Sequence, residues 1–491
     1  MKKTILILVL LLFGILVLGA DWTVGVYICA DNNLEAYASG GELHSGIYGD
    51  VNEMEMVGSD TNVHIIVEID KRTTAYTGWE TAKRFYIEKD ADPNTITSPE
   101  LEDLGEINMG HPNTLTSFIN YLINTSTFSS TKYALIIWNH GSGWERRVSS
   151  YDVPRKWICE DVTSNDVLTV KELKTALENS AKPPSGKFDV LAFDACFMQM
   201  LEVLYEIQDY AEVIVASEES EPAFGYPYHT IFNDLINTPG MTSSEFGEVI
   251  AQDYVASYDI SDYSTQSAVY SDSITGVITA LDNFALELIS CFGTNFEAIN
   301  NIRARTQTFD DLDYIDLMDF CNRINSKTSF PPKLRSAANA LVNSLDNTII
   351  YSGNTGGVVR KANGISIYYP TNPADYIVEY NSTRLANDTH WDEFIKRDFS
   401  YGDDFSNIIV YPNPCFISKS EYVIIENIPL NSELKIFTIS GGILHSVNTG
   451  FQSTYFWKTK NKYGNIIASG VYLINVKKNG KSTTRKLVII K

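Results

Sequence analysis

The stretches IIWNHGSGW (residues 136–144) and VLAFDACFMQ (residues 190–199) decide how this chain folds and where its chemistry lies. Each begins as an apolar run typical of a buried strand, and the runs stop at His140 and Cys196. A cysteine attacks as the thiolate, so it needs a base, and a histidine with a pKa of ~6.5 suits that task. The histidine precedes the cysteine by 56 residues, an order and spacing known among cysteine peptidases. The pair therefore predicts a cysteine peptidase.

Strands and helices alternate in the pattern that follows the first twenty residues. Apolar runs predict strands at 22–30, 62–70, 83–88, 133–139, 188–194 and 213–217, and helical periodicity predicts helices at 114–124, 169–180 and 198–210. This alternation predicts an α/β fold with a mostly parallel sheet flanked by helices on both faces. Helices at 244–258 and 313–324 and a strand at 364–370 are expected to extend or cover the sheet. Because sites in such sheets form at the carboxyl ends of strands, His140 and Cys196 are expected at one edge.

Three parts are expected along the chain. Residues 1–20 combine two N-terminal lysines, an apolar run and a small-residue exit, which is typical of a secretory signal peptide; an uncleaved membrane anchor is the alternative. Residues 21–402 form the α/β domain. Residues 403–491 show short strand runs split by turns, including an Asn479-Gly480 hairpin, and predict a small all-β sandwich. The protein is therefore expected to be secreted or at the cell surface, touching the membrane only through the signal segment.

Charge and cysteine usage exclude several classes of function. The 491 residues carry a formal net charge of −23, which argues against nucleic acid because phosphate contacts need clustered Lys and Arg. The same charge disfavours an anionic membrane surface. Six cysteines with no CxxC pair do not predict a disulfide framework in so long a chain. Cys29 is expected as a small buried side chain, and a bridge from Cys159 is open, with no partner identifiable from the sequence.

The residues around the pair have expected tasks of their own. Gly141 has no side chain where a peptide must approach, and its N–H and that of Cys196 predict an oxyanion hole. A helix starting directly after Cys196 would aim its N-terminus at the sulfur and lower the thiol pKa. Asp194 is expected to line the substrate cleft or to cap the turn. The alternative is that Cys196 is a buried structural thiol and His140 a structural strand-end histidine.

The chain resembles the clostripain family of cysteine peptidases, relatives of caspases, legumains and gingipains. The resemblance spans roughly residues 21–400 and is carried by WTVGVYICADNNLE (22–35), VNEMEMVGS (51–59), NVHIIVEIDKR (62–72), IIWNHGSGW (136–144), FDVLAFDACFMQMLEVLYEI (188–207), VIVASEESEP (213–222), YIDLMDF (314–320) and ANGISIYYP (362–370). It implies a caspase-like fold in which His140 is the general base, Cys196 the nucleophile and Gly141 an oxyanion-hole donor.

The resemblance also implies a substrate preference. Characterised relatives usually cleave after Arg or Lys with acidic residues in the pocket for that side chain, and Asp194 matches one acidic position. The loop tip where a second carboxylate is expected reads Phe224-Gly225 here, a departure from that pattern. Glu218, Glu219 and Glu221 lie nearby, and as a charge run they are expected to face solvent.

Two further properties of the family have counterparts in this chain. Relatives are often cut between the histidine and the cysteine after a basic residue, and Arg146, Arg147, Arg155 and Lys156 stand there in a stretch predicted to lack secondary structure. An ordinary solvent loop is the alternative. Some relatives need calcium, for which DVTSND (161–166) offers oxygen ligands; no other cofactor is expected. The same segment also reads as a turn before the helix at 169–180.

The C-terminal part carries a second resemblance. VYPNPC (410–415), LKIFTISGGIL (434–444) and NKYGNIIASGVYLINV (461–476) resemble the sorting tails of type IX secretion and the related FlgD-type immunoglobulin-like repeats. This implies secretion machinery as a partner, with a generic adhesive or spacer module as the alternative. The sequence thus predicts a secreted cysteine endopeptidase acting on proteins or peptides, with basic residues preferred before the cleaved bond. A non-catalytic surface binding or adhesion protein is the alternative.

Overall fold

A nine-stranded mixed sheet forms the centre of the molecule. The computed structural model describes residues 19–40, 43, 48–72, 78–147, 155–396, 405, 408–420, 422–426, 428–429, 432–449, 454–478 and 480–491. The sheet consists of β1 (Ala20–Cys29), β2 (Val63–Asp70), β3 (Ala82–Tyr86), β4 (Glu100–Gly105), β5 (Ser130–Trp138), β9 (Phe188–Asp194), β10 (Ala211–Ala216), β11 (Thr265–Tyr270) and β13 (Ile349–Asn354). Residues 1–18, which make up most of the predicted signal peptide, lie outside the described residues.

The strand order is β13-β11-β10-β9-β5-β1-β2-β3-β4. The five central strands from β10 to β2 run parallel, whereas the two strands at each edge pair antiparallel. The predicted parallel centre is confirmed, while the antiparallel edges were not predicted. Antiparallel neighbours can be joined by short connections, so these edges need no crossover helix.

Helices cover both faces of the sheet. They are α1 (Glu35–Ser39), α2 (Asp50–Glu55), α3 (Pro112–Asn124), α4 (Val170–Asn179), α5 (Leu201–Ile207), α6 (Tyr228–Asn237), α7 (Ser243–Ser257), α8 (Ile274–Arg303), α9 (Leu317–Ser326), α10 (Pro332–Thr348), α11 (Arg384–Asp388) and α12 (Trp391–Lys396). Alternate residues of each central strand enter different cores: in β5, Leu135 and Ile137 pack with α3, α4 and α8, whereas Ala134 and Ile136 pack with α6 and α7. Apolar residues on both faces explain the continuous apolar runs in the sequence.

Within the described part of the chain, one helix is long and apolar enough to cross a membrane by length and composition. It covers Ser271–Phe292, and half of its most apolar window is buried inside the structure. Its side chains Leu281, Phe284 and Leu288 are fully buried in the larger core. It packs against α10 and α12 within that core.

A small sheet follows directly after His140. It contains β6 (Gly141–Arg147), β7 (Arg155–Asp161) and β8 (Asp166–Leu168). Arg146 pairs with Lys156 and Arg147 with Arg155, so the prediction that these four basic residues lack secondary structure is wrong. Residues 148–154 of the predicted cleavage region lie outside the described residues.

Another prediction fails in the second half of the α/β part. The stretch 313–324, predicted as one helix, begins as β12 (Tyr314–Asp316), which pairs with β14 (Ser366–Tyr368) before α9 starts. Asp316 caps α9 by accepting the N–H of Asp319. The cap ends the strand and starts the helix within one residue.

Residues from Phe405 onward pack around a third hydrophobic core. Their strands are β15 (Ile409–Tyr411), β16 (Cys415–Phe416), β17 (Val423–Glu426), β18 (Glu433–Thr438), β19 (Ile443–Asn448), β20 (Tyr455–Trp457), β21 (Gly470–Lys478) and β22 (Lys481–Ile490). They form a three-stranded and a five-stranded sheet. The predicted hairpin is present, with Lys478 paired to Lys481 and Gly480 at a φ of +80°.

Candidate active site

Two neighbouring strands deliver His140 and Cys196 to the same place. β5 and β9 pair in parallel with Trp138 opposite Asp194, and the Asn139 N–H donates to the Asp194 carbonyl at 3.2 Å. Both strands therefore end at the same level, and the side chains that follow them meet at the carboxyl edge. His140 and Cys196 line one pocket of about 90 Å³ together with Asp194 and Glu221. A wider depression of about 560 Å³ beside α7 contains neither His140 nor Cys196.

Gly141 lies against the main chain of Cys196. A Cβ at Gly141 would stand 2.3 Å from the Cys196 carbonyl oxygen and 3.0 Å from its nitrogen, so no larger residue fits. The Gly141 N–H is hydrogen-bonded to the Cys196 thiol. A glycine is required here because the chain approaches the backbone of Cys196 so closely, a constraint that adds to the predicted approach of substrate.

The chain turns sharply after Cys196. Phe197 has a φ of +63°, a conformation that few residues other than glycine adopt, and its N–H donates to the Glu219 carbonyl at 3.2 Å. The next helix begins only at Leu201 and has seven residues. The predicted helix N-terminus aimed at the sulfur is therefore wrong, and the tight turn places Cys196 in the lining of the pocket instead.

The Cys196 thiol is neutral in the resting protein. Its sulfur accepts the Glu221 N–H at 3.2 Å. Burial raises the pKa of the thiol to about 12. The expected lowering of this pKa is therefore wrong, because desolvation disfavours the thiolate more than the two N–H donors stabilise it.

His140 is also neutral. Burial lowers the pKa of its imidazole to about 4. Its Nε2 lies 2.9 Å from Oδ1 of Asn33, in the loop after β1. An amide oxygen only accepts, so Nε2 carries the proton and Nδ1 is the basic nitrogen. Sequence reasoning missed Asn33, because nothing in the pattern relates that loop to His140.

Asp194 faces the pocket with a second carboxyl group beside it. Its Oδ2 accepts the Tyr226 N–H at 3.1 Å and the Tyr228 hydroxyl at 2.9 Å. Burial raises the pKa of Asp194 to about 6 and, with the negative charge of Asp194, raises the pKa of Glu221 well above its ordinary value. Glu221 is therefore protonated and donates to Asp194, and the two carboxyl groups share one proton. The prediction that Glu221 faces solvent is wrong.

The other two glutamates of the charge run are buried away from the pocket. Glu218 accepts the Gly364 N–H at 2.8 Å, and Glu219 accepts the Asp310 N–H at 2.8 Å. The expectation that they face solvent is wrong as well. They hold the strand-end loops around the site in place.

The loop tip at Phe224 and Gly225 is where the resemblance predicts a second carboxylate. Phe224 is 37% exposed, and its ring packs edge-on against Tyr37 at 5.5 Å. Gly225 has a φ of +58°, and a Cβ there would stand 2.8 Å from both Asp194 oxygens. The pocket's second carboxyl group thus comes from Glu221, three residues before Phe224.

Four carboxyl groups cluster beside the site, at the ends of β1 and β2. Carboxylate oxygens of Asp31, Glu106 and Asp161 lie within 4.8 Å of one another. Asp31 Oδ1 and Asp70 Oδ2 are buried and have no hydrogen-bond partner among the described residues. Burial, with the charges of the other three, raises the pKa of Asp70 to about 9. Clustered carboxyl oxygens are the ligands that a hard divalent ion prefers.

The sheet and the pocket at its edge define a cysteine peptidase with a caspase-like fold. The chain belongs to the clostripain family, whose model matches residues 26–397. It is 26% identical to the clostripain of Hathewaya histolytica over 431 residues, covering 75% of this chain and 78% of that protein.

Two solved structures share the fold. A secreted C11 cysteine protease from Bacteroides thetaiotaomicron, bound to an irreversible peptide inhibitor, is 19% identical with a TM-score of 0.57 and covers 76% of this chain and 100% of its own. An inactive zymogen C11 protease from Parabacteroides distasonis is 23% identical with a TM-score of 0.55 and covers 76% of this chain and 98% of its own.

The neutral thiol predicts how Cys196 responds to pH. We expect its alkylation by iodoacetamide to rise about tenfold per pH unit between pH 7 and 9 without a plateau, because the thiolate fraction rises at that rate below the thiol pKa. The rate is measured by mass spectrometry of the Cys196 peptide, and Cys196→Ala identifies labelling at the other cysteines. A plateau below pH 8 would show a thiolate–imidazolium pair and contradict the neutral dyad.

Proposed function

We propose that the protein is a cysteine endopeptidase in which Cys196 is the nucleophile and His140 the general base. The observation that carries this proposal is the meeting of the two side chains in one pocket at the ends of adjacent parallel strands. The sequence pattern and the family membership support the same assignment.

The geometry supports a specific path for the proton. As Cys196 Sγ bonds to the scissile carbonyl carbon, its proton passes to Nδ1 of His140, while Asn33 keeps Nε2 protonated. The carbonyl oxygen becomes an oxyanion that the N–H groups of Gly141 and Cys196 stabilise. Collapse expels the amine, which takes the proton from His140, and water then hydrolyses the acyl-enzyme. Attack starts from a neutral pair, so bound substrate must complete the activation.

The pocket beside Cys196 fits a basic side chain. Asp194 and Glu221 share a proton, and burial together with the charge of Asp194 raises the pKa of the neighbouring Asp50 well above its ordinary value. A guanidinium or ammonium group would replace the shared proton and restore ionised carboxylates. Gly225 leaves the Asp194 oxygens without a covering side chain. We therefore propose Arg or Lys as the residue before the cleaved bond.

We also propose calcium as a bound ion, held by Asp31, Asp70, Glu106 and Asp161. The buried oxygens without partners and the hard donor set support this ion. Of the predicted segment 161–166 only Asp161 takes part, whereas Asp166 accepts from Asn108 and Val167. Calcium supplies charge neutralisation and rigidity here. Asp31 lies two residues before Asn33, which is hydrogen-bonded to His140. An ion that orders this loop therefore also holds the His140 imidazole in orientation.

Export and sorting complete the proposed function. The N-terminal charge and apolar pattern and the secreted Bacteroides relative support secretion or a surface location. The all-β residues after Phe405, with their tail-like motifs, support contact with a secretion machinery. Cleavage between the paired basic residues of β6 and β7 would separate the His140 segment from the Cys196 segment.

Catalysis is tested by substitutions at the dyad. We expect Cys196→Ala to abolish hydrolysis of fluorogenic peptides and His140→Ala to lower kcat/KM by about 10²–10⁴-fold, the usual contribution of a general base. Cys291→Ala, which removes a half-buried thiol on α8, should leave the rate unchanged. Absence of turnover by the wild-type protein on a broad peptide panel would favour the surface binding protein.

Specificity is tested with paired peptides that carry arginine or its neutral isostere citrulline before the cleaved bond. We expect kcat/KM for arginine over citrulline to rise as pH increases through about 6, because Asp194 loses its proton there. Asp194→Asn should remove that rise and reduce the preference about 10- to 100-fold. Asp209→Asn alters an exposed carboxylate and should change neither. Equal rates on both peptides would refute the basic pocket.

Calcium binding is tested by calorimetry on chelator-treated protein. We expect one bound Ca²⁺ and a higher Tm in its presence, since an ion that binds only the folded state stabilises it. Glu106→Gln and Asp161→Asn should weaken binding, whereas Asp166→Asn should not, because Asp166 does not belong to the cluster of Asp31, Glu106 and Asp161. No heat and no change in Tm at millimolar calcium would dismiss the ion.

A further inference from the structure

Two cysteines that are far apart in the sequence adjoin one another beside the active site. Cys29 is the last residue of β1, and Cys159 lies within β7. Both side chains are fully buried in the same hydrophobic core. Burial and then the neighbouring Cys159 thiol raise the pKa of the Cys29 thiol, which places the two sulfurs close together.

The backbone directs Cys159 towards β1. β7 has a register shift between Ile158 and Glu160, and Cys159 within that bulge has a φ of +61°. A bulge re-aims the side chain that it carries, and a non-glycine residue keeps a positive φ only where its surroundings enforce it. Cys29 Sγ also donates to the carbonyl of Glu160, the next residue, at 3.1 Å. This hydrogen bond holds the Cys29 sulfur against the bulge that carries Cys159.

The same region also fixes the residue that precedes His140. Asn139, which precedes His140, donates through its side chain to the carbonyls of Cys29 and Glu160. The Glu160 N–H in turn donates to the Asn139 Oδ1 at 3.2 Å. A covalent link between β1 and β7 would therefore fix the frame that His140 extends from.

We propose that Cys29 and Cys159 form a disulfide in the exported protein, an inference that rests on the proposed secretion. Two S–H bonds break and one S–S bond forms, and the two electrons and two protons pass to a disulfide-bearing oxidant, which becomes a dithiol. Oxidation occurs during folding, before burial shields the sulfurs. Export supplies the oxidising compartment in which such bonds persist.

The link has a consequence for a chain cut between Arg147 and Arg155. Cys29 lies before that interval and Cys159 after it, so the disulfide joins the two products covalently. The cut protein would then keep its strands β1 and β7 in place even where non-covalent contacts loosen. Reduction would remove this tether.

The test uses the full chain with Cys196→Ala, which removes the active-site thiol and makes the result independent of peptidase activity. The protein is refolded in excess oxidised glutathione, alkylated and digested without reduction. We expect mass spectrometry to find the Cys29 and Cys159 peptides joined, with the loss of two hydrogens. Recovery of both as alkylated thiols, as glutathione adducts or bound to other cysteines would overturn the proposal.

A second measurement covers the case in which a cysteine variant fails to fold. The Cys196→Ala protein, in which Cys29 and Cys159 are unsubstituted, is melted before and after treatment with dithiothreitol. We expect a lower Tm after reduction because the disulfide constrains the unfolded chain. Adding Cys159→Ala should abolish the redox effect, and adding Cys291→Ala should preserve it. An unchanged Tm on reduction would overturn the disulfide while leaving the peptidase assignment untouched.

Discussion

The parallel pairing of β5 with β9 is the interaction on which the rest of the site depends. Trp138 lies opposite Asp194, and the Asn139 N–H bonds to the Asp194 carbonyl, so the pairing continues up to the residues that carry the chemistry. A slip of one residue would turn every following side chain to the opposite face. Buried apolar residues on both faces of the two strands resist that slip. The relative position of His140 and Cys196 is therefore set by the core.

Carboxyl groups cluster at this edge of the sheet, and several of them are buried. In the pocket, Asp194 and Glu221 share a proton, and at the ends of β1 and β2 four more acids face one another. Burying such charges is unfavourable, and raised pKa values are how the protein tolerates it. On the proposed function both clusters receive positive charge from outside, one from the substrate and one from an ion.

The sequence predicted the parallel strands well because residues buried on both faces leave an unbroken apolar run, as in VLAFD before Cys196. It also predicted that His140, Cys196, Gly141 and Asp194 would come together, since strand ends converge at one edge. It could not predict Asn33 or the buried Glu221. Their positions depend on how loops fold over the edge, and a loop carries no periodicity.

The wrong predictions have a common physical origin. The expected helix at Cys196 starts five residues later, because Phe197 takes a left-handed conformation that only the surrounding structure enforces. The glutamates of EESE were expected in solvent, but they accept main-chain N–H groups or share a proton. The burial of a charged run can be predicted only when its distant hydrogen-bond partners, such as Gly364 and Asp310, are known.

The neutral Cys196 thiol affects how long the protein survives as much as how it reacts. Thiolates are the form of cysteine that attacks peroxides and small disulfides, and a thiol with a pKa of about 12 presents very little thiolate at neutral pH. The sulfur is thereby protected from stepwise oxidation to sulfenic and sulfinic acids. Outside a reducing cytoplasm, a resting enzyme built in this way would age slowly, with its reactivity released only when a peptide occupies the pocket.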